Sequence, residues 1–304
     1  EHARNPLGTI DEWASVDKPY SYMACADLIA RYRDDPSEPL PAFMPKDGRC
    51  SGLQHWSALT KSDDITEHLG MEEVDADLDI YERIAEEFAL ILVPEYKHMA
   101  TRKAAKVPVM TWAYNATRMT AIEHIDRLFG EKNKYCKETE SWVEDILGLD
   151  RSASFEVGQL LYDQTNITLQ ALTTAVEWVS SAAETIAKAG NIEIQWVTPD
   201  GFLASQRKVR GKRVQVVCQL SNNTTFTVGV KDFSSKEPDI GRHKSALAPN
   251  IIHSLDATHL RMSARAMERE GMPMVFIHDS FATHVNYADR MYDIIVETFI
   301  ELYS

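Results

Sequence analysis

Length, composition and charge already limit what this chain can do. Its 304 residues suffice for a substantial hydrophobic core and for about two domains. With 44% hydrophobic and 26% charged residues it has the composition of an ordinary globular protein. No apolar run approaches the roughly 20 residues of a membrane span, so we expect no membrane partner. The formal net charge of −14 argues against a nucleic-acid coat protein, but it leaves open an enzyme whose cations are concentrated locally.

The cysteines and the N-terminus bear on the compartment. The four cysteines, at positions 25, 50, 136 and 218, are scattered and lack the spacing of a metal site. The N-terminal residues lack the pattern of a signal peptide. Both features predict a reduced, cytoplasmic environment.

The N-terminal part is predicted to be mainly helical, from residue 7 to residue 35. Between residues 20 and 32, apolar side chains recur at spacings of three and four and give the helix one apolar face. A proline-rich stretch, 39–45, then overlaps a short predicted strand at 42–44, whose prolines favour a sheet edge or a bulge.

Asp47 and Gly48 follow this short strand and precede a predicted helix at 53–59. Gly48 and Gly52 permit tight backbone geometry and the close approach of a ligand. The pattern indicates either a strand that presents a carboxylate ahead of a helix or an ordinary Asp–Gly turn. The local sequence leaves both interpretations open.

The middle of the chain is predicted to be helical, at 78–99, 116–129 and 157–188, with Pro94 breaking the first of these helices. Between them, Arg102, Lys106, Met110 and Tyr114 are spaced by four. On a helix this spacing gives one face with two cations, a thioether and a phenol along about 18 Å, which suits a nucleoside triphosphate. The alternative is a surface helix with its cations in solvent and its Met and Tyr in the core.

A change to strand-forming sequence begins at residue 192. A strand at 192–197 meets a turn at 199–201, and strands at 214–220 and 224–230 form a predicted hairpin. The foot of this hairpin is basic and contains Arg207, Lys208, Arg210, Lys212 and Arg213. The cations fit either contact with nucleic-acid phosphates or protection of a solvated hairpin edge.

The C-terminal part contains two predicted helices, at 251–271 and 287–303, and a short strand between them. His253, Asp256 and His259 share a helical spacing, but no HExxH-like arrangement favours zinc. The strand, at 274–277, is predicted to be buried and ends at His278 and Asp279. Asp279 is suited to holding Mg²⁺ together with a second carboxylate, and its alternative role is to cap the next turn.

The order of these motifs resembles that of the single-subunit RNA polymerases of bacteriophages and mitochondria. Asp47–His55 looks like that family's first metal-binding motif, 102–114 like its nucleotide-binding helix, and His278–Phe281 like its second metal-binding motif. Two further segments, 196–202 and 248–256, also match. The hairpin lies where the family carries its promoter-specificity loop.

The resemblance implies an α+β fold of right-hand polymerase architecture, with a palm built on a small antiparallel sheet and mostly helical fingers. The implied division is a first palm part at 1–77 with a metal motif at 47–57, fingers at 78–195 with the nucleotide-binding helix at 102–115, and a second palm part at 196–304 with the basic hairpin at 206–231 and the second metal motif at 275–281.

The implied activity is template-directed nucleotidyl transfer, in which RNA is made from NTPs on a DNA template. Asp47 and Asp279 would hold two Mg²⁺ ions, with the Gly48 carbonyl as a further ligand. Arg102 and Lys106 would bind the triphosphate, and Lys106 would also assist the departure of pyrophosphate.

The remaining implied roles concern the sugar and the nucleic acid. Met110 and Tyr114 would contact the nucleotide, and Tyr114 with His253 would select a ribose 2′-hydroxyl. The cations of the hairpin foot, together with His278, would bind nucleic acid. Val107 stands where the family commonly has a second cation, and Asn115 stands where it often has glycine, as departures from the pattern.

The family's N-terminal promoter-binding and thumb regions have no counterpart in these residues. These residues are therefore either a fragment of a longer polymerase or a chain that another polypeptide completes. Of the two we expect the catalytic subunit of a split phage RNA polymerase, acting in the cytoplasm of an infected bacterium with a second polypeptide that supplies those regions. Such a chain would not initiate alone on a duplex promoter. Two alternatives stay open, a related template-directed DNA polymerase and a non-catalytic assembly or regulatory subunit.

Overall fold

The computed structural model describes residues 2–37, 41–74, 78–130, 133–136, 141–144, 149–221 and 223–304. The described part combines helices with small antiparallel sheets, which agrees with the predicted α+β class. The α-helices are α1 (Ile10–Trp13), α2 (Pro19–Asp34), α3 (Ser51–Thr60), α4 (Ile80–Ile91), α5 (Arg102–Trp112), α6 (Arg118–Phe129), α7 (Arg151–Thr168), α8 (Gln170–Lys188), α9 (Ile240–Arg269) and α10 (Ala288–Leu302). None of the helices described is long and apolar enough to cross a membrane.

Within the described ranges, the strands form one sheet of three strands and three hairpins of two. They are β1 (Phe43–Asp47), β2 (Asn133–Cys136), β3 (Ser141–Glu144), β4 (Glu193–Val197), β5 (Leu203–Arg207), β6 (Lys212–Gln219), β7 (Thr225–Asp232), β8 (Val275–Ile277) and β9 (Ser280–His284).

The chain divides into two compact units, each of which draws on separate parts of the sequence. The first unit comprises Glu1–Asp47 and Ser263–Thr298, and the second comprises Gly48–Met262 and Phe299–Ser304. The palm and fingers boundaries at residues 77 and 195 stay a prediction.

The first unit contains the three-stranded antiparallel sheet, in the order β1-β9-β8. Pro45 lies in the edge strand β1, opposite Ala282, as predicted for a strand that contains proline. The prediction that residues 274–277 form a buried strand is wrong in its burial, because Ile277 is 67% exposed. Since β8 is the other edge strand, the central strand β9 supplies the buried residue Phe281 instead.

Helix α2 shows that apolar periodicity can predict a helix without predicting its burial. The helix forms over the predicted residues, yet none of its side chains is buried and Tyr20 is 84% exposed. Within the described residues, the apolar face is therefore exposed at Tyr20 and Tyr32 and only partly covered at Met23 and Leu28.

The core of the second unit is formed largely by α4, α5, α7 and α8, and contains fully buried residues such as Phe88, Leu161 and Leu172. Helix α4 ends at Ile91, ahead of a 3₁₀ turn that begins at Pro94, so the predicted break is confirmed. The single long helix predicted for 157–188 is instead two helices, because Leu169 leaves the helical conformation and buries its side chain.

Helix α9 begins at Ile240, earlier than the predicted start at 251, and continues through Pro249. A proline inside a helix has no N–H to donate to the carbonyl four residues before it, which here is that of Ser245. The side-chain amide of Asn115 donates to this carbonyl at 3.3 Å. The helix tolerates Pro249 because a side chain from elsewhere in the second unit satisfies the vacated acceptor.

The packing of α6 against α7 depends on Gly158. A Cβ added at this position would lie 2.5 Å from the Ile122 Cα, a backbone atom that cannot move aside cheaply. We expect Gly158→Ala to lower the free energy of unfolding by about 1 to 3 kcal/mol, as overpacking does elsewhere.

The matched control for this prediction is Gly241→Ala in α9, where the nearest atom to a new Cβ would be 3.8 Å away. It should be neutral or slightly stabilising, because alanine is the better helix former. Chemical denaturation of both variants checks the prediction, and equal stability of the two would contradict it.

Candidate active site

The strand order of the first unit brings the two predicted metal-binding segments together. β1 ends at Asp47, and the turn between β8 and β9 consists of His278 and Asp279. The register pairs Asp47 with Ser280, so Asp47 lies directly opposite the residue that follows Asp279. His278 adopts φ 56°, the left-handed conformation that such a tight hairpin turn requires.

The two aspartates have the chemistry that a Mg²⁺ site needs. Mg²⁺ is commonly bound by one or two carboxylates, with substrate phosphates and water as its other ligands. The described residues contain no group of three or more His, Cys, Asp and Glu side chains placed to hold a metal. The two aspartates at one end of the sheet supply two carboxylates, which is the number that Mg²⁺ commonly takes from a protein.

Gly48 begins the turn that connects to α3. Its carbonyl accepts a hydrogen bond from the Cys50 N–H at 3.1 Å. Cys50 adopts φ 59°, which completes the turn before the helix starts at Ser51. A carbonyl has two lone pairs, so Gly48 keeps the capacity to bind a cation as the resemblance implies.

The predicted nucleotide-binding face lies on α5. Arg102, Lys106 and Met110 are exposed on one side of this helix, whereas Ala104 is fully buried on the other. Met110 is 39% exposed, so the structure does not place it in the core as the surface-helix interpretation requires. Thr101 caps the helix, its hydroxyl accepting a hydrogen bond from the Ala104 N–H at 3.2 Å.

Arg102 already has an anionic partner. Its Nε and Nη2 lie 2.8 and 2.6 Å from Oδ2 of Asp79, and its guanidinium stands over the ring of Tyr81 at 5.2 Å. The hydrogen bond to Asp79 raises the pKa of Arg102. Sequence reasoning missed Asp79, although an aspartate directly ahead of a helix is a recognisable cap, and this one does accept from the Tyr81 N–H.

The predicted sugar-sensing residues, Tyr114 and His253, are brought together in the second unit. Their rings stack with centroids 4.6 Å apart and an interplanar angle of 21°. Asn115 adopts φ 59°, so it takes the left-handed conformation for which glycine was expected. A Cβ added at Gly52 would lie 3.1 Å from Cζ of Tyr114, so glycine is what lets the tyrosine pack against α3.

The basic hairpin forms as predicted. β6 pairs with β7 from Lys212 opposite Asp232 to Gln219 opposite Thr225. Of the five cations at the foot of the hairpin, Arg210 forms a surface ion pair with Glu237, in which Nη1 and Oε2 are 3.6 Å apart. Their role in binding nucleic acid stays a prediction, as does that of His278.

An ion pair that sequence reasoning missed fixes the β4–β5 hairpin to α9. Two guanidinium nitrogens of Arg261 bond to the two carboxylate oxygens of Asp200, whose side chain is 5% exposed. This guanidinium holds the pKa of Asp200 well below its usual range. The indole N–H of Trp196 also donates to the Ser254 hydroxyl at 3.0 Å. The turn residues were recognisable in the sequence, but their partners across the fold were not.

Comparison with known proteins now defines the class. Residues 1–304 match the family model of the DNA-dependent RNA polymerases, and the chain belongs to that family. The resemblance identified from the sequence motifs is thereby confirmed.

The relatives are organellar enzymes. The mouse mitochondrial DNA-directed RNA polymerase is 29% identical over 322 residues, which cover 100% of this chain and 25% of the mouse protein. DNA-directed RNA polymerase 3 of Nicotiana sylvestris chloroplasts is 27% identical, with 100% of this chain and 31% of that protein covered. The human mitochondrial enzyme is 26% identical, with 25% of its length covered. The chain thus spans about a quarter to a third of the length of the curated relatives it matches.

Proposed function

We propose that this chain forms the catalytic part of a DNA-directed RNA polymerase, with right-hand palm and fingers, that adds NTPs to an RNA end by a two-Mg²⁺ mechanism. The observation that carries the proposal is the pairing of β1 with β9, which places Asp47 opposite Ser280, the residue after Asp279. Membership of the DNA-dependent RNA polymerase family supports the same reaction.

The first step of the proposed reaction is to position the reacting groups. Asp47 and Asp279 would hold the Mg²⁺ ions with the Gly48 carbonyl, and the hydrogen-bonded ladder keeps the two carboxylate-bearing residues in register. When bound, the ions activate the primer 3′-hydroxyl and neutralise charge on the triphosphate and the leaving pyrophosphate.

Arg102 and Lys106 would bind the triphosphate along the exposed face of α5. Arg102 is bonded to Asp79 in the free chain, so triphosphate binding exchanges one anionic partner for another or adds a second. The guanidinium of Arg102 is half-exposed, so solvent screens the pair and its contribution to stability is small. Lys106 is exposed and would neutralise the departing pyrophosphate.

The sugar is proposed to be recognised by Tyr114 and His253. We expect Tyr114→Phe to retain much of the extension activity but to relax discrimination against dNTPs, because the ring stack remains and the hydroxyl that senses the ribose is lost. The measurement is the ratio of kcat/KM for an NTP to that for its dNTP.

Tyr292→Phe is the matched control, since this tyrosine is 54% exposed on α10 and carries no proposed role. It should leave the ratio unchanged. An unchanged ratio in Tyr114→Phe as well would assign sugar selection to other residues.

The experiment that tests the proposed function is Mg²⁺-dependent nucleotide incorporation on a primed DNA template, with NTPs and dNTPs compared. Incorporation of NTPs in preference to dNTPs is the expected result. A strong preference for dNTPs would assign a related DNA polymerase. No incorporation by a folded and complete protein would assign a non-catalytic assembly or regulatory subunit.

The arrangement of the complete enzyme is a separate question. The predicted second polypeptide gains no support from the comparisons, in which the chain spans about a quarter to a third of the length of its relatives. The relatives named above are mitochondrial and chloroplastic proteins, and they give no support to the predicted cytoplasm of a phage-infected bacterium.

A further inference from the structure

A buried polar network joins α3 to α9 in the second unit. At its centre is His55 of α3, which is 1% exposed. Its Nε2 lies 2.9 Å from Oδ1 of Asp256 on α9, and its Nδ1 is hydrogen-bonded to the hydroxyl of Tyr303. No role for these three side chains follows from the proposed reaction.

Both ring nitrogens of His55 have partners in this network. Nε2 donates to the carboxylate of Asp256, because a carboxylate only accepts. The hydroxyl of Tyr303 is hydrogen-bonded to Nδ1, and burial, and then the charge of Asp256, raise the pKa of this phenol. Phe299 lies 5.2 Å from the His55 ring and encloses it further. Each polar atom of His55 therefore has a partner, and its ring has one orientation.

The same two helices carry the residues that hold Tyr114. Asp256 follows His253 by three residues on α9, and Gly52 precedes His55 by three residues on α3, so each pair lies about one helical turn apart. Tyr114 packs against Gly52 and stacks on His253. The contact between His55 and Asp256 thus sets the spacing of the two helices one turn away from the tyrosine.

A second hydrogen bond fixes the backbone beside Tyr114. The indole N–H of Trp56, the residue after His55 on α3, donates to the carbonyl of Ala113 at 3.0 Å. Because the main chain beside Tyr114 is held to α3 in this way, the distance between the rings of Tyr114 and His253 depends on where α9 places His253.

We propose that Asp256, acting through His55, is a positioning residue that holds His253 against Tyr114 and thereby sets the preference for ribonucleotides. This inference rests on the proposed role of Tyr114 and His253 in sensing the sugar. Loss of the carboxylate leaves a buried N–H of His55 without an acceptor, and α9 moves to let water or another group reach it.

The experiment compares Asp256→Ala and Asp256→Asn in the complete protein, with the NTP-to-dNTP ratio of kcat/KM as the readout. Asp256→Ala is expected to lower the ratio by about tenfold, equivalent to about 1.4 kcal/mol, with a smaller loss in kcat for NTPs. Asp256→Asn keeps an oxygen that accepts from His55, so it should restore most of the ratio. Glu268→Ala is the control. It removes an exposed charge from the same helix and should leave the NTP-to-dNTP ratio unchanged.

A double variant separates positioning from a general loss of stability. In the Tyr114→Phe background, Asp256→Ala should lower the ratio little further, because the Tyr114 hydroxyl proposed to sense the ribose is already absent. If Asp256→Ala is not obtained folded, Tyr303→Phe carries the test, since it removes only the hydrogen bond to Nδ1 and should lower the ratio by about twofold.

The outcomes distinguish this inference from the proposed function. If Tyr114→Phe relaxes the sugar preference and neither Asp256→Ala nor Tyr303→Phe does, the positioning role is overturned and the sugar-sensing role stands. If Tyr114→Phe itself leaves the preference unchanged, the proposed sugar sensor is wrong, and the inference fails with it.

Discussion

Replacing Asp47 or Asp279 by alanine is expected to lower the rate of nucleotide addition by about a thousandfold or more, equivalent to about 4 kcal/mol of transition-state stabilisation. The reason is that each change removes one of the two carboxylates proposed to hold Mg²⁺. Both residues lie at the end of the sheet, Asp47 as the last residue of β1 and Asp279 in the turn before β9. The measurement is single-turnover extension of a primed template with saturating NTP and Mg²⁺.

Asp293→Ala is the matched control for both variants. Asp293 is an exposed aspartate on α10 in the same unit, so its loss makes the same change in net charge. All three variants should keep the wild-type circular dichroism spectrum and melting temperature within a few degrees. Extension within tenfold of wild type by either site variant would refute the assignment of that aspartate.

Asp200→Ala is expected to have the largest effect on stability, a loss of about 3 kcal/mol in the free energy of unfolding. The carboxylate is nearly buried and bonds to two nitrogens of Arg261, and it also accepts a hydrogen bond from the hydroxyl of Thr258 at 3.2 Å. Removing it strands a guanidinium among groups that no longer compensate its charge. Urea denaturation of the variant beside wild type gives the difference directly.

The same ion pair predicts a pH dependence. Because the pKa of Asp200 is lower in the folded protein than in the unfolded chain, its contribution is fully present above the ordinary range for aspartate. It is lost as the pH falls through the folded-state value. The stability gap between wild type and Asp200→Ala should therefore narrow in acid. Asp163→Ala is the control, because Asp163 is an exposed aspartate on α7 and its loss should change the free energy of unfolding little. An equally small change for Asp200→Ala would contradict the prediction.

Elements whose signals are local were predictable from the sequence. The edge strand β1, the β6–β7 hairpin and the break ahead of Pro94 each follow from residue types at fixed positions. The exposed helix face formed by Arg102, Lys106 and Met110 was also predictable, because residues spaced by four lie on one face of a helix whatever surrounds it.

Features that depend on long-range partners were not predictable. The early start of α9 requires a donor for the Ser245 carbonyl, which Asn115 supplies, and the exposure of β8 depends on which strand becomes the centre of the sheet. The partners of Arg102, Asp200 and His55 lie tens to hundreds of residues away in the chain. Spacing along the sequence carries no information on such contacts, which arise only when the elements pack.

The most direct test of the central claim is localised cleavage by Fe²⁺ substituted for Mg²⁺. Iron bound at the site reduces added hydrogen peroxide to hydroxide and a hydroxyl radical, becoming Fe³⁺, and the radical cuts nearby backbone. A metal shared by Asp47 and Asp279 therefore predicts cuts near both residues, suppressed by excess Mg²⁺. Asp47→Ala should abolish both sets of cuts, and Asp293→Ala should keep them. Cleavage at neither segment, or cuts near one aspartate that persist after the other is removed, would show that the two do not share a metal.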